Sequence, residues 1–221
     1  GRLQSFADSR AELQFNEGSL AWTKKGTTFS FTPGKRRVEL INGTVLVLVK
    51  PGGGGAIVGT SSVTVEAKGT ALVVEHNEAT GESVVSVLTN NPMGPVTVAS
   101  NRDGKTVELR AGQAVSAVNG AVGSVQNFDL QTYYATNELA AGLGPGQEAI
   151  VAQKPLEVQQ TINAVRLETL AAVKEQGRGF RRTFLSDALN GGESDLYSRR
   201  GQSLNIQIDT IADGIFTRTG D

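Results

Sequence analysis

From Ala11 to about Val125 the chain is a succession of short apolar or alternating runs, four to seven residues each, cut by Gly, Asn, Asp or Pro. AELQF, SLAWT, TTFSF, RRVEL, TVLVLV, GAIVGT, VTVEA, ALVVEH, SVVSVL, VTVAS, TVELR, QAVSAV and GSVQN follow one another, and valine dominates them. Strict alternation in Val63–Glu66 and Thr106–Leu109 predicts strands with one face in a core and the other in water, because successive strand side chains point to opposite faces. Thr44–Val49 is apolar nearly throughout, which predicts a strand buried on both faces. Strand signals 8 to 12 residues apart, joined by NEG, TPG, NG and NRDG turns, predict a sandwich, barrel or β-solenoid. Asn42-Gly43, Asp103-Gly104 and Asn119-Gly120 are the sharpest hairpin signals, since a type I′ turn needs positive φ at both central residues.

After Asn127 the texture changes, which sets a β domain over 1–126 against a C-terminal extension over 127–221. Phe128 to Tyr134 has helical spacing with Asp129 as its cap, and Gly142-Leu143-Gly144-Pro145-Gly146 breaks it. A longer amphipathic helix is predicted over about 155–176, opened by Pro155 and ending near Gly177. Val158, Ile162, Val165, Leu170 and Val173 form its apolar stripe. The stripe must bury against the β domain or against another chain, so these five residues are candidate interaction positions. The tail is polar and interrupted by glycine, but Leu204, Ile206 and Ile208 alternate as a terminal strand would and could add to a sheet edge.

Composition narrows the chemistry. The chain has 221 residues, 38% hydrophobic and 19% charged, with 27 glycines and a net charge of −1, so it offers no electrostatic footprint for nucleic acid. Its basic residues are scattered apart from Lys35-Arg36-Arg37, which reads as a solvated turn. The absence of cysteine excludes disulfides, thiolate metal sites and a cysteine nucleophile. No apolar run approaches the roughly 18 residues that span a bilayer, and the chain opens at GRLQSF without a signal-peptide pattern.

Individual motifs then fall away. Gly54 to Ser61 reads GGAIVGTS, but Thr60 stands where a phosphate-binding loop needs lysine, and strand rather than helix follows. The loop Lys50 to Ser62 therefore reads as a permissive connection. His76 is the only histidine; with no G-x-S-x-G serine to serve, it reads as a surface-turn residue. Glu75, His76, Glu78 and Glu82 match no ordered metal scheme. Trp22, the only tryptophan, is a candidate sugar platform or partial core residue. No catalytic, cofactor-binding or metal-binding residue is assigned.

Ala7 to Phe15 with Gly18-Ser19-Leu20, Leu40 to Val49, Thr60 to Val74 with Lys68-Gly69-Thr70, Val84 to Leu88, and Val107 to Gln113 together resemble a FecR-type domain over roughly residues 5 to 126. Where that family's middle element reads T-P followed by V-R-G-T-x-F, this chain has Ser61, Lys68 and Leu72. Thr89-Asn90-Asn91-Pro92 and Phe128 to Tyr134 resemble the stand-alone secreted FecR-domain proteins of cyanobacteria. The resemblance implies a β-solenoid-like or sandwich-like fold, a periplasmic or secreted location and no catalytic residues. Regulatory members of the family receive a signal from an outer-membrane transporter and pass it through one membrane helix to a sigma factor. The expectation is a non-enzymatic module for protein interaction or envelope assembly, with other chains, a second copy or an envelope component as partners. The alternatives are a carbohydrate- or peptidoglycan-binding module using Trp22, an envelope hydrolase, and the periplasmic signal-sensing part of a sigma-factor regulator.

Overall fold

The computed structural model describes residues 2–4, 11–15, 18–31, 35–52, 54–91 and 93–189, with side chains described between 11 and 179. Residues 1–177 form one compact unit and 178–221 a second. In chain order the strands are β1 (Arg2–Gln4), β2 (Glu12–Gln14), β3 (Leu20–Thr23), β4 (Thr28–Phe31), β5 (Arg37–Leu48), β6 (Ala56–Gly59) and β7 (Val63–Ala67). They continue as β8 (Ala71–Asn77), β9 (Glu82–Val87), β10 (Val96–Ser100), β11 (Thr106–Leu109), β12 (Gln113–Val118), β13 (Ala121–Val122) and β14 (Gln126–Asn127). The chain is mainly β, with helices at its C-terminal side.

Two sheets share β5. The first runs β1-β4-β5-β6-β7-β10-β11 and the second β2-β3-β5-β8-β9-β12, with β13 and β14 both on β12. Residues up to Asn42 pair with β4 and β6, whereas Gly43 onward pairs with β8 and Val45 onward with β3. The strand thus turns a corner, and the result is a sandwich that nearly closes into a barrel.

The corner corrects the reading of Asn42-Gly43 as a hairpin turn: both residues lie inside β5, at a register shift opposite Thr28 and Phe29. Gly43 has φ +105°, and a Cβ there would lie 2.7 Å from the Thr27 Cα. Only glycine lets the two backbones approach so closely. Thr27 Oγ1 accepts the Thr44 N–H at 3.2 Å and pins the bend. Asn119-Gly120 is the I′ hairpin predicted, with φ of +49° and +80° between paired Val118 and Ala121. Asp103-Gly104 belongs to a wider turn, in which Ser100 N–H reaches Lys105 O at 2.8 Å.

Alternation sends each strand's side chains to two places. Phe29, Val38, Leu40, Val65 and Val98 of the first sheet meet Val45, Val47, Leu72, Val74 and Val85 of the second. The far side of the second sheet carries Leu20, Trp22, Leu46, Leu48, Ala71 and Val73. Over it lie α1 (Leu130–Thr136), α2 (Glu148–Val151) and α3 (Leu156–Leu189). Thr44 to Val49 is therefore buried throughout, as the unbroken apolar run predicts. The layers are sheet, sheet, helices.

Asp129 caps α1 by accepting the Thr132 N–H at 2.7 Å. That hydrogen bonding to Thr132 also holds its carboxyl below the usual carboxylate range. The helix predicted to stop near Gly177 instead continues through Gly177 and Gly179 to Leu189. Glycine costs a helix interior about 1 kcal/mol relative to alanine, which lowers stability without forcing a stop.

Candidate functional site

The helical layer is tied to the β domain by buried polar contacts as well as apolar ones. Tyr134 Oη donates to Leu88 O at 3.0 Å, and Thr161 Oγ1 donates to Gly18 O at 2.8 Å. Arg166, 5% exposed, donates to Gly142 O at 2.6 Å and pairs with Glu148. Gln176 bridges α3 to the start of α1, accepting from Leu130 N at 2.9 Å and donating to Phe128 O at 2.7 Å.

Against that layer the predicted stripe divides. Val158, Ile162 and Val165 are buried under the sheet at 5%, 1% and 0% exposure, so their apolar surface is consumed within this chain. Val173 is half-buried at the edge of the same cluster. Leu170 leaves the stripe and is 40% exposed, while Thr161, Thr169 and Ala172 complete the buried face. Polar Thr169 hid this face from a search for apolar spacing; its hydroxyl is satisfied by Val165 O at 3.2 Å. Leu204, Ile206 and Ile208 lie outside the described residues. Trp22 is buried, with the Lys154 ammonium 5.3 Å from the centre of its ring. Its face is covered, unlike that of an open sugar platform.

His76 corrects the surface-turn reading, for it is only 4% exposed and lies within β8. It shares the inward face of Leu72 and Val74 because all three are two residues apart on one strand. Nδ1 lies 2.9 Å from both Glu82 O and Ser83 Oγ, and Nε2 lies 3.0 Å from Ser61 Oγ. A carbonyl can only accept, so Nδ1 carries the proton and Nε2 accepts from Ser61 in the neutral ring. Thr60 Oγ1 extends the network, 2.9 Å from Ser83 Oγ while accepting the Ser62 and Val63 N–H groups at 3.1 and 3.0 Å. The Ser61–His76 pair escaped the sequence because its partners are 15 residues apart and meet only where the two sheets face each other. The group orienting the ring is a carbonyl, which lacks the negative charge that supports an imidazolium in a hydrolytic triad. Among the described residues no three His, Asp or Glu side chains converge as metal ligands do.

The glycine loop after β5 is a crossover. It carries the chain back to pair β6 parallel to the start of β5, with Arg37 opposite Ile57 and the Ile57 N–H bonded to Arg36 O at 2.8 Å. The other sheet pairings described are antiparallel. Gly54, at φ +51°, sits where a Cβ would collide with the Arg36 guanidinium.

Among the described residues, three buried polar atoms lack a hydrogen-bond partner: Trp22 Nε1, Tyr133 Oη and Glu168 Oε2. Burial pushes the Glu168 carboxyl up to about 7, with a hydrogen bond from Thr89 opposing the rise. Burial, with the charge of Glu75 adding to it, raises the Tyr133 phenol above its ordinary range.

Residues 1–91 match the model of the FecR protein family. Over this segment the chain is similar to FecR proteins. The match ends after β9, so β10 to β14 and the helices lie beyond it. Two crystal structures of one candidate anti-sigma factor from Parabacteroides distasonis ATCC 8503 are similar, each with 20% identity and a TM-score of 0.50. Each likeness covers 62% of this chain and 65% of that one, so the chain spans less than two thirds of that protein's length. At such identity the likeness is one of fold. No curated protein matches the chain. In the FecR segment the family-like residues make turns: Thr60 closes the β6–β7 connection, and Gly69 takes φ +60° before Thr70 enters β8.

Proposed function

We propose that the chain is the signal-receiving β domain of a FecR-type regulator, acting outside the cytoplasm through protein contact rather than catalysis. The FecR match over residues 1–91 carries this reading, and the fold-level likeness to a candidate anti-sigma factor supports it. The second sheet is covered by the chain's own helices. The first sheet's outer face carries polar positions such as Thr64, Glu66 and Glu108, and is the side open to a partner. No helix among the described residues is long and apolar enough to cross a membrane, so the relay asks for a membrane-spanning element outside them.

A second reading, an envelope-assembly module, draws on the outward side of α3, where Leu156, Leu167 and Leu170 are 70%, 72% and 40% exposed. Deleting the gene in its own host and sequencing the transcripts separates the two. The regulator reading expects a coordinated change in genes sharing one sigma-factor promoter. An unchanged transcriptome beside an altered envelope composition would replace it with the assembly reading.

A further inference from the structure

The β6–β7 connection presents a hydroxyl backed by a base. A backbone hydrogen bond of 2.9 Å from Thr60 N–H to Val63 O closes the turn. Thr60 Oγ1 accepts the Ser62 and Val63 N–H groups from inside it, and Ser62 Oγ donates to Gly81 O. Thr60 and Ser62 are 8% and 1% exposed, so Ser61, between two buried neighbours, is the residue of the turn left in water. Behind it the His76 ring is buried, with Nε2 3.0 Å from Ser61 Oγ and Nδ1 2.9 Å from Glu82 O. The carbonyl takes the Nδ1 proton, which leaves the Nε2 lone pair to accept the Ser61 hydroxyl hydrogen. An exposed hydroxyl, a neutral imidazole within hydrogen-bond reach and a third group orienting that ring together make the arrangement of an activated nucleophile.

We infer that Ser61 is a covalent modification site that takes an acyl group from an activated donor, an ester or thioester with a good leaving group. Ser61 Oγ attacks the acyl carbon while His76 Nε2 takes its proton. The bond to the leaving group then breaks, the leaving group departs with the electron pair and receives that proton, and the acyl group stays on Ser61 as an ester. The partners of Ser61, His76 and Thr60 in the network are hydroxyls, carbonyls and amides. Such neutral surroundings suit an uncharged acyl carbon better than a phosphate, whose transfer calls for cationic donors. The transfer is stoichiometric. The Ser62 N–H, next to the nucleophile, is already held by Thr60 Oγ1 and so is withheld from an oxyanion, and a carbonyl behind the ring gives an imidazolium no charge support. Both features restrict the donor to an activated one and slow hydrolysis of the ester once it has formed.

The test is incubation of the full chain with p-nitrophenyl acetate, followed by peptide mapping of acetylated serine. Ser124 is also exposed, and its hydroxyl accepts from Gln126 at 3.3 Å. Because His76 is the only histidine, Ser124 reports a serine without an imidazole. Ser61 should acetylate about 100-fold faster than Ser124. The p-nitrophenol released at Ser61, measured as the difference from Ser61→Ala, should stop at a single equivalent per chain. His76→Gln keeps a side chain able to donate to Glu82 O and accept from Ser61 but removes the base, and should bring Ser61 down to the rate of Ser124. Circular dichroism verifies that this variant folds. Where it does not, the cysteine-free chain supplies a second measurement: Ser61→Cys and Ser124→Cys each add one thiol, and iodoacetamide should alkylate the first about tenfold faster than the second. Equal acetylation of Ser61 and Ser124, undiminished acetylation of Ser61 in a folded His76→Gln, or equal thiol rates would each overturn the site. Release that continues past a single equivalent and is lost in Ser61→Ala would overturn the stoichiometric assignment and make Ser61 a turnover nucleophile.

Discussion

The two apolar layers of this molecule are built differently from the same strands. Between the sheets the contacts are largely valine on valine, supplied by strands alone. Between the second sheet and the helices they are Leu20, Leu46, Leu48, Trp22, Tyr134 and Ile162, from elements far apart in sequence. Small β-branched residues suit a layer where two pleated faces interdigitate, while a cylinder lying on a sheet leaves wider gaps that leucine and aromatic side chains fill. The polar groups differ as well. His76, at the end of the inter-sheet layer, has hydrogen-bond partners at both ring nitrogens, whereas Glu168, beside the helical layer, has an oxygen without one. The inter-sheet layer is made by strands alone, and the other depends on residues 128–177.

The severest way to break that contrast is to remove residues 128–221. Leu20, Trp22, Leu46, Leu48, Val73 and Leu88, all buried in the helical layer, would meet water. At about 1.5–3 kcal/mol for each large side chain, the loss is on the order of 10 kcal/mol, comparable with the whole stability of a typical domain. The expected result is an insoluble or dye-binding chain; a cooperative thermal transition like that of the full chain would show that the strands need no helical cover. Ending the chain at Gly177 keeps the compact unit, and its melting temperature should stay within about 5 °C of the full chain's.

Next in size is Gly43→Val, which attacks the corner that lets β5 serve both sheets. Positive φ at a β-branched residue and the collision with the Thr27 backbone should cost about 3 kcal/mol or more. Urea denaturation would measure it, and a loss under about 1 kcal/mol would mean that the corner relaxes.

Two substitutions on α3 separate its faces. Ile162→Ala opens a cavity in the helical layer, since Ile162 is 1% exposed, and should cost about 2–5 kcal/mol. Leu167→Ala lies on the outward side at 72% exposure and should change stability by less than about 0.5 kcal/mol. Comparable losses from both would place Leu167 in an interface.

A modest effect that depends on pH comes from Glu168. Its carboxyl has an ordinary value of 4.5 and is raised to about 7 in the folded chain, so between those pH values the folded state holds more protons than the unfolded one. Its contribution is full below about 4.5 and is lost as pH rises through about 7. Partial exposure and solvent screening limit it to about 1 kcal/mol. Glu168→Gln should flatten the slope of stability against pH in that window, and an unchanged slope would remove Glu168 as its source.

Much of the fold was legible along the chain. Alternation marked Val63–Glu66, an unbroken apolar run marked the doubly buried half of β5, and Asp129 marked the start of α1. Asn42-Gly43 misled because positive φ is equally useful in a bulge and in a hairpin, and only the strand across from it distinguishes them. His76 misled because a polar residue at a strand end looks exposed until its partners are known. Leu170 misled because a helical stripe inferred from apolar residues alone passes over Thr169, a buried residue whose hydroxyl bonds back to its own helix.

Sequence by itself determined the strand-rich character, the change to helix after Asn127 and the FecR resemblance, because these depend on residue type and short-range period. Only the tertiary structure decided which face of each strand met which layer and where the helical stripe was buried. It also decided that exposed Ser61 meets buried His76. Sheet pairing and sheet packing join residues that chain order keeps apart.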